Sequence, residues 1–220
     1  MSKIDMKSVT LIAFENGNLG KIVPAISRCI EGCNFYDVKL LTCFDFSDVD
    51  INCKKIKVRP TSYSEYGNFM LKDMGDGLGF VGDYVDSDFM LFIHWDGYVL
   101  NPSAWSDDFL QYDYIGARWG WEHGVYNVGN GGFTLRSKKL LDFIKKDPKF
   151  SNTSENEDWY ICNTMRPYLE LNGFVFAPGD VADRFSVEST KWTGSFGAHY
   201  INRFPESDPR YTDISSWKVG

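Results

Sequence analysis

The run Asp88-Phe-Met-Leu-Phe-Ile-His-Trp-Asp-Gly-Tyr98 decides how this chain reads. Residues 89–93 are uniformly apolar. A run that short predicts a strand buried on both faces rather than a helix. It then stops at Asp96 and Gly97. Ligands of open α/β sheets gather beyond the carboxyl ends of strands, where an acid meets a cation or a reacting group. The plainer reading of Asp96 is a turn-forming residue ahead of a glycine.

Outward from this run, short apolar stretches alternate with helical ones. The pattern predicts an α/β fold whose mixed, mostly parallel central sheet is flanked by helices. Strands are expected at 9–14, 38–44, 56–59 and 88–95. A helix at 21–31 has Ile22, Val23, Ile26 and Ile30 on one face and stops at Gly32. A longer helical stretch, 64–85, is expected to break at Gly75, Gly77 and Gly79. Further on, the pattern predicts a helix at 101–109, strands at 114–118 and 133–136, and a helix at 137–146. A helix at 157–166 stopped by Pro167 and a late strand at 174–177 follow. The polar tail after Phe204 is expected to wrap the surface. The 220 residues suit one domain, 1–220, with a substantial core.

The formal net charge is −7, with no Lys/Arg stripe, which excludes a general nucleic-acid binder. A single nucleotide ligand remains compatible. Arg184, Lys191, Arg203 and Arg210 are available to a diphosphate, although each alone reads as solvated surface charge. Five cysteines without Cys-x-x-Cys spacing argue against zinc and for free thiols in a reducing compartment. The N-terminus lacks an apolar leader core and no run is long enough to span a bilayer, so the expected location is cytoplasmic.

Four features carry possible chemistry. Asp48-Val-Asp50 and Asp86-Ser-Asp88 spell Asp-x-Asp, but the first lies in a polar loop and the second precedes its strand, so both read as loop acids. Asp96 has the better position, with His94 two residues before it. Gly129-Asn-Gly-Gly132 lets backbone approach a ligand closely or simply makes a tight turn. Glu157-Asp158 offers a carboxylate at a helix start. The competing reading there is a capping box in Ser154-Glu-Asn-Glu157. His199, in Gly194-Ser-Phe-Gly-Ala-His-Tyr200, is able to join oxygen ligands around a metal such as Mn²⁺, or to act as a hydrogen-bonded structural residue.

Six segments in order, Leu91–Pro102, Tyr112–Trp119, Val128–Arg136, Glu157–Tyr160, Phe185–Glu188 and Phe196–His199, resemble the glycosyltransferase-A superfamily. The resemblance is closest to its small single-domain members of bacteria and large DNA viruses. It implies a transferase moving a sugar from a nucleotide-sugar donor, with a UDP-hexose favoured, to a glycan or other hydroxyl acceptor. It also implies Mn²⁺ or Mg²⁺ as cofactor, held by Asp96 and His199. By the same resemblance, Phe14, Glu15, Asn16, Asp45, His94, Trp95 and Asp96 frame the nucleotide. Asn130, Gly131, Gly132 and Glu157 lie by the sugar and acceptor. Asp158 is the inverting general base, with Glu188 in reserve. Trp95, Tyr98, Trp119 and Trp121 are candidates to stack on sugars. The departure from the superfamily is His94, which stands where its motif has the first acid.

Three other readings compete. One is a carbohydrate-binding domain on a degenerate transferase fold. Another is a sugar nucleotidyltransferase, weakened because Glu15-Asn-Gly-Asn-Leu-Gly20 carries no Lys or Arg for a triphosphate. The third, an aspartyl phosphatase, lacks its Asp at the end of the first strand.

Overall fold

The computed structural model of the protein describes residues 2–45, 50–72, 79–120, 124–150, 153–188, 190–200 and 207. Asp48, Gly75, Gly77, Trp121, Arg203, Arg210 and the tail after Phe204, residue 207 excepted, lie outside the described residues. The strands are β1 (Ile4–Glu15), β2 (Cys33–Thr42), β3 (Lys54–Lys57), β4 (Phe89–Ile93), β5 (Gly97–Val99), β6 (Tyr114–Ile115), β7 (Phe133–Ser137), β8 (Ser186–Glu188) and β9 (Gly197–His199). The helices are α1 (Leu19–Gly32), α2 (Tyr63–Phe69), α3 (Lys138–Lys146), α4 (Glu157–Trp159), α5 (Arg166–Leu171) and α6 (Gly179–Phe185).

A six-stranded sheet runs β3-β2-β1-β4-β7-β6, and a three-stranded one runs β5-β9-β8. β3, β2, β1 and β4 run parallel to one another, whereas β7 is antiparallel to both β4 and β6. The apolar run at 89–93 is explained by this position. Met90 and Phe92 pack into the core on one face, while Leu91 and Ile93 pack into the core on the other. β1 does the same, with Ile12 and Phe14 on the first face and Leu11 and Ala13 on the second. Each such large side chain contributes about 1.5–3 kcal/mol on burial.

Several expected elements take other forms. β4 ends at Ile93, so Asp96 lies in the turn between β4 and β5 rather than on the strand itself. Residues 101–109 form two 3₁₀ turns, Pro102–Ala104 and Asp107–Gln111, because the Ser106 side chain accepts from the Asp108 N–H and starts a new turn. Of the long stretch 64–85, the described residues form α2, which ends at Phe69, and a 3₁₀ turn, Val81–Tyr84; the break expected at Gly75 and Gly77 lies outside the described residues. Residues 174–177 make only an isolated bridge, Phe176 to Tyr114. The segment starting at Glu157 runs through α4 into a π turn, Tyr160–Thr164. Pro167 then sits in the first turn of α5, where its missing N–H costs nothing. The capping box fails because the N-cap is Asn156, which makes no side-chain capping bond; Glu157 turns inward instead. Among the described residues, no helix is long and apolar enough to cross a membrane.

Candidate active site

The site forms where β4 ends and the small sheet begins. After Ile93 the chain makes a tight turn, closed by the Gly97 N–H on the His94 carbonyl at 3.1 Å. That turn leaves Asp96 buried, at 1% exposure, and starts β5. Gly97 pairs in register with His199 of β9, and His199 pairs with Glu188 of β8. The three-stranded sheet therefore sets His199 beside the turn that carries Asp96. Asp96 Oδ1 lies 3.3 Å from His199 Nε2, and Glu188 Oε1 lies 2.9 Å from His199 Nδ1. Burial works against the charged form of His199. Its hydrogen bonds to Asp96 and Glu188 outweigh that and hold its pKa up, at about 9.

His94 completes the cluster. One ligand atom from each of His94, Asp96 and His199 lies within 4.8 Å of the others. Two imidazoles and a carboxylate match the donor chemistry of a first-row divalent metal, so the residues present fit a bound cation. His94 Nε2 is also 2.9 Å from the Tyr66 hydroxyl of α2. The Tyr66 ring in turn contacts Phe14, with centroids 5.7 Å apart.

The glycine-rich turn ahead of β7 forms the opposite wall. Asn130 adopts φ 66°, a conformation that Asn tolerates better than most residues. Its Oδ1 accepts from the Gly132 and Phe133 N–H groups at 3.1 and 3.2 Å, and its Nδ2 lies 3.0 Å from His199 Nδ1. A Cβ on Gly132 would fall within the His199 ring, and one on Gly131 would strike the Glu157 carboxylate. Both glycines are thus required by close approach of the site's side chains.

Asp158 reaches the same turn. Its Oδ2 accepts from the Gly131 N–H at 3.0 Å and its Oδ1 from the Trp159 N–H at 2.8 Å. Glu157 is buried and paired with the fully buried Arg136 of β7, Nη2 to Oε1 at 3.1 Å. Burial and the adjacent Asp158 charge push the Glu157 carboxyl up to about 7, against the pull of Arg136. Asp158 is raised as well, chiefly by burial, with the Trp159 N–H opposing.

The structure thus brings His94, Asp96, Asn130, Gly131, Gly132, Glu157, Asp158, Glu188 and His199 into one network of contacts. Of the other residues expected to frame a nucleotide, Phe14, Glu15, Asn16 and Trp95 make local contacts. Glu15 Oε1 caps the turn after β1 by accepting from the Gly17 and Asn18 N–H groups. Asn16 Oδ1 accepts from the Cys43 N–H at 3.0 Å, tying the exits of β1 and β2 together. Phe14 is buried against Phe69, whereas Asp45 is exposed on the loop after β2. Trp95 lies under the Lys21 ammonium, 4.4 Å from the ring centre, and Trp119 is buried against Trp159. Asp86 of the second Asp-x-Asp pair is bound to Lys39 at 2.5 Å, in keeping with a loop acid. All five cysteines are free. Sequence reasoning overlooked Tyr66 and Arg136. An Arg ending the apolar run Phe133-Thr-Leu-Arg136 is the only signal that pointed to the latter.

A family model described as "Protein of unknown function (DUF5672)" matches residues 53–199. No curated protein matches the sequence. Among solved structures, the apo-form glycosyltransferase GlyE of Streptococcus pneumoniae TIGR4 superposes with a TM-score of 0.51 at 14% identity. The match covers 96% of this chain and 57% of GlyE, so the chain spans little more than half of that protein. A glycosyltransferase involved in glycosylation of the major capsid of PBCV-1 gives a TM-score of 0.48 at 13% identity, covering 87% and 92% of the two chains. The galactosyltransferase LgtC gives 0.49 at 14% identity, covering 96% and 92%. The likeness to GlyE is one of fold.

Proposed function

We propose that this chain, which belongs to the family of unknown function matched over residues 53–199, is a metal-dependent, inverting glycosyltransferase. It moves a sugar, for which a UDP-hexose is the favoured donor, to a hydroxyl of a glycan or related acceptor. One observation carries this reading. Asn130 touches His199 with its side chain, and the next residue, Gly131, binds Asp158 through its N–H. The candidate cation ligands and the candidate base therefore flank the single turn that leads into β7, beside the carboxyl end of the parallel strand β4, the ligand end of such sheets.

Asp96, His199 and His94 would hold a divalent cation, which when bound supplies Lewis-acid stabilisation of the leaving diphosphate. The two imidazoles favour Mn²⁺ over Mg²⁺, which prefers an all-oxygen octahedron. Asp158 accepts the proton of the attacking hydroxyl. The Gly131 N–H orients the Asp158 carboxylate, and burial raises its basicity. Glu157, tied to Arg136, fixes the start of α4 and hence the position of Asp158. His94 in place of a first acid also favours a second reading, a carbohydrate-binding domain with no turnover.

The test is a panel of sugar nucleotides with Mn²⁺, Mg²⁺ or chelator, read by liberated nucleoside diphosphate. Release with one donor, stimulated by Mn²⁺, supports the transferase. Sugar binding without release from any donor supports the second reading.

A further inference from the structure

His199 Nδ1 has two neighbours with incompatible demands. The Asn130 amide is fixed in orientation, because its oxygen already accepts from two backbone N–H groups. It can therefore present only an N–H to His199 Nδ1, at 3.0 Å. Glu188 Oε1, 2.9 Å from the same nitrogen, can only accept when ionised. One ring nitrogen cannot receive a proton from Asn130 and donate one to Glu188. If Asn130 prevails, neutral His199 carries its proton on Nε2, aimed at Asp96 3.3 Å away, and that nitrogen has no lone pair for a cation. If Glu188 prevails, the proton sits on Nδ1 and the Nε2 lone pair faces Asp96. Glu188 owes its place to the in-register pairing of β8 with β9, which sets it directly across from His199.

We propose that Glu188 is a positioning residue that holds the Nδ1 proton of His199, so that Nε2 is presented to a divalent cation alongside Asp96. This rests on the cation-site reading above and removes Glu188 from the reserve role of general base. Carboxylates that fix the far nitrogen of a ligating histidine typically account for 10–100-fold in metal affinity.

The experiment measures Mn²⁺ binding to the full chain by calorimetry, without donor, for the parent, Glu188→Leu and Glu188→Leu/Asn130→Asp. The Asp side chain keeps an oxygen for the Gly132 and Phe133 N–H groups but turns the competing donor into an acceptor. Glu188→Leu should weaken Mn²⁺ binding about 10–100-fold, and the second change should recover most of that loss. Imidazole ¹⁵N spectra of the metal-free proteins, recorded above the His199 titration, should show the proton on Nδ1 in the parent and on Nε2 in Glu188→Leu. A structural role alone would not move the proton between nitrogens. Equal Mn²⁺ affinity in the parent and Glu188→Leu, or an Nε2 proton in the parent, overturns the inference and leaves the cation site standing. A parent that binds no Mn²⁺ overturns both.

Discussion

At the residue scale, the central contrast is between Asp96 and Asp158. Asp96 is sealed by a turn and bonded to His199; Asp158 is partly exposed and held by the Gly131 N–H. In the proposed mechanism the first holds the cation and the second receives the proton. Asp158→Asn should keep donor affinity while lowering transfer by about 10²–10⁴-fold, the usual range for a lost general base. Single-turnover rates beside donor titrations check this, and unchanged turnover would return Asp158 to holding the glycine turn. Gly132→Ala should push the His199 ring away, since the added methyl would occupy its space. The expected outcome is loss of Mn²⁺ binding with about 1–3 kcal/mol of destabilisation from overpacking, read by calorimetry and denaturant unfolding. Both glycines and Asn130 were visible in the sequence as a motif, but not the reason for them, which lies in the side chains of Glu157 and His199 much further along the chain.

At the scale of elements, what was legible followed burial. β4 is a continuous apolar run and β1 and β2 carry apolar stretches, each with residues buried on both faces, so periodicity and composition found them. β5, β8 and β9 have three residues each and no such pattern. β8 and β9 pair across a short loop, but β5 joins β9 only through contacts about 100 positions apart, for example Gly97 with His199, which local reading cannot reach. His199 was recognisable by resemblance; its partnership with Glu188 was not. The helix start at Glu157 misled in a related way. An acid three residues after a serine fits a capping box, yet Glu157 answers a buried charge, Arg136, on a strand distant in sequence. A buried arginine needs an ionic or hydrogen-bonding partner more than the helix end needs a cap. Arg136→Met should therefore be strongly destabilising, by about 3–5 kcal/mol, through the stranded carboxylate. Denaturant unfolding of Arg136→Met beside Arg136→Met/Glu157→Leu checks this, with the double change expected to recover much of the loss.

For the whole molecule, the adjacent carboxylates Glu157 and Asp158 tie stability to pH. Glu157 is raised from 4.5 to about 7, so between those values the folded state binds more protons than the unfolded one. Stability then falls as pH rises from about 4.5 to about 7, and the raised Asp158 adds in the same direction. Glu157→Gln should flatten that slope in unfolding curves measured across the window, whatever it does to absolute stability. A parent whose stability is level or rising there would contradict the environment described for α4.

The arrangement of two sheets gives the molecule its logic. The parallel part of the large sheet delivers the β4–β5 turn to the ligand end, and the small sheet returns His199 to it from the far end of the described chain. The central claim is that Asp96 grips a cation that in turn holds the donor's diphosphate. Calorimetric titration of UDP in the presence of Mn²⁺, on the parent and on Asp96→Asn, tests it most directly. The account predicts Mn²⁺-dependent UDP binding in the parent and none in a folded Asp96→Asn; equal affinity in the two proteins would contradict it.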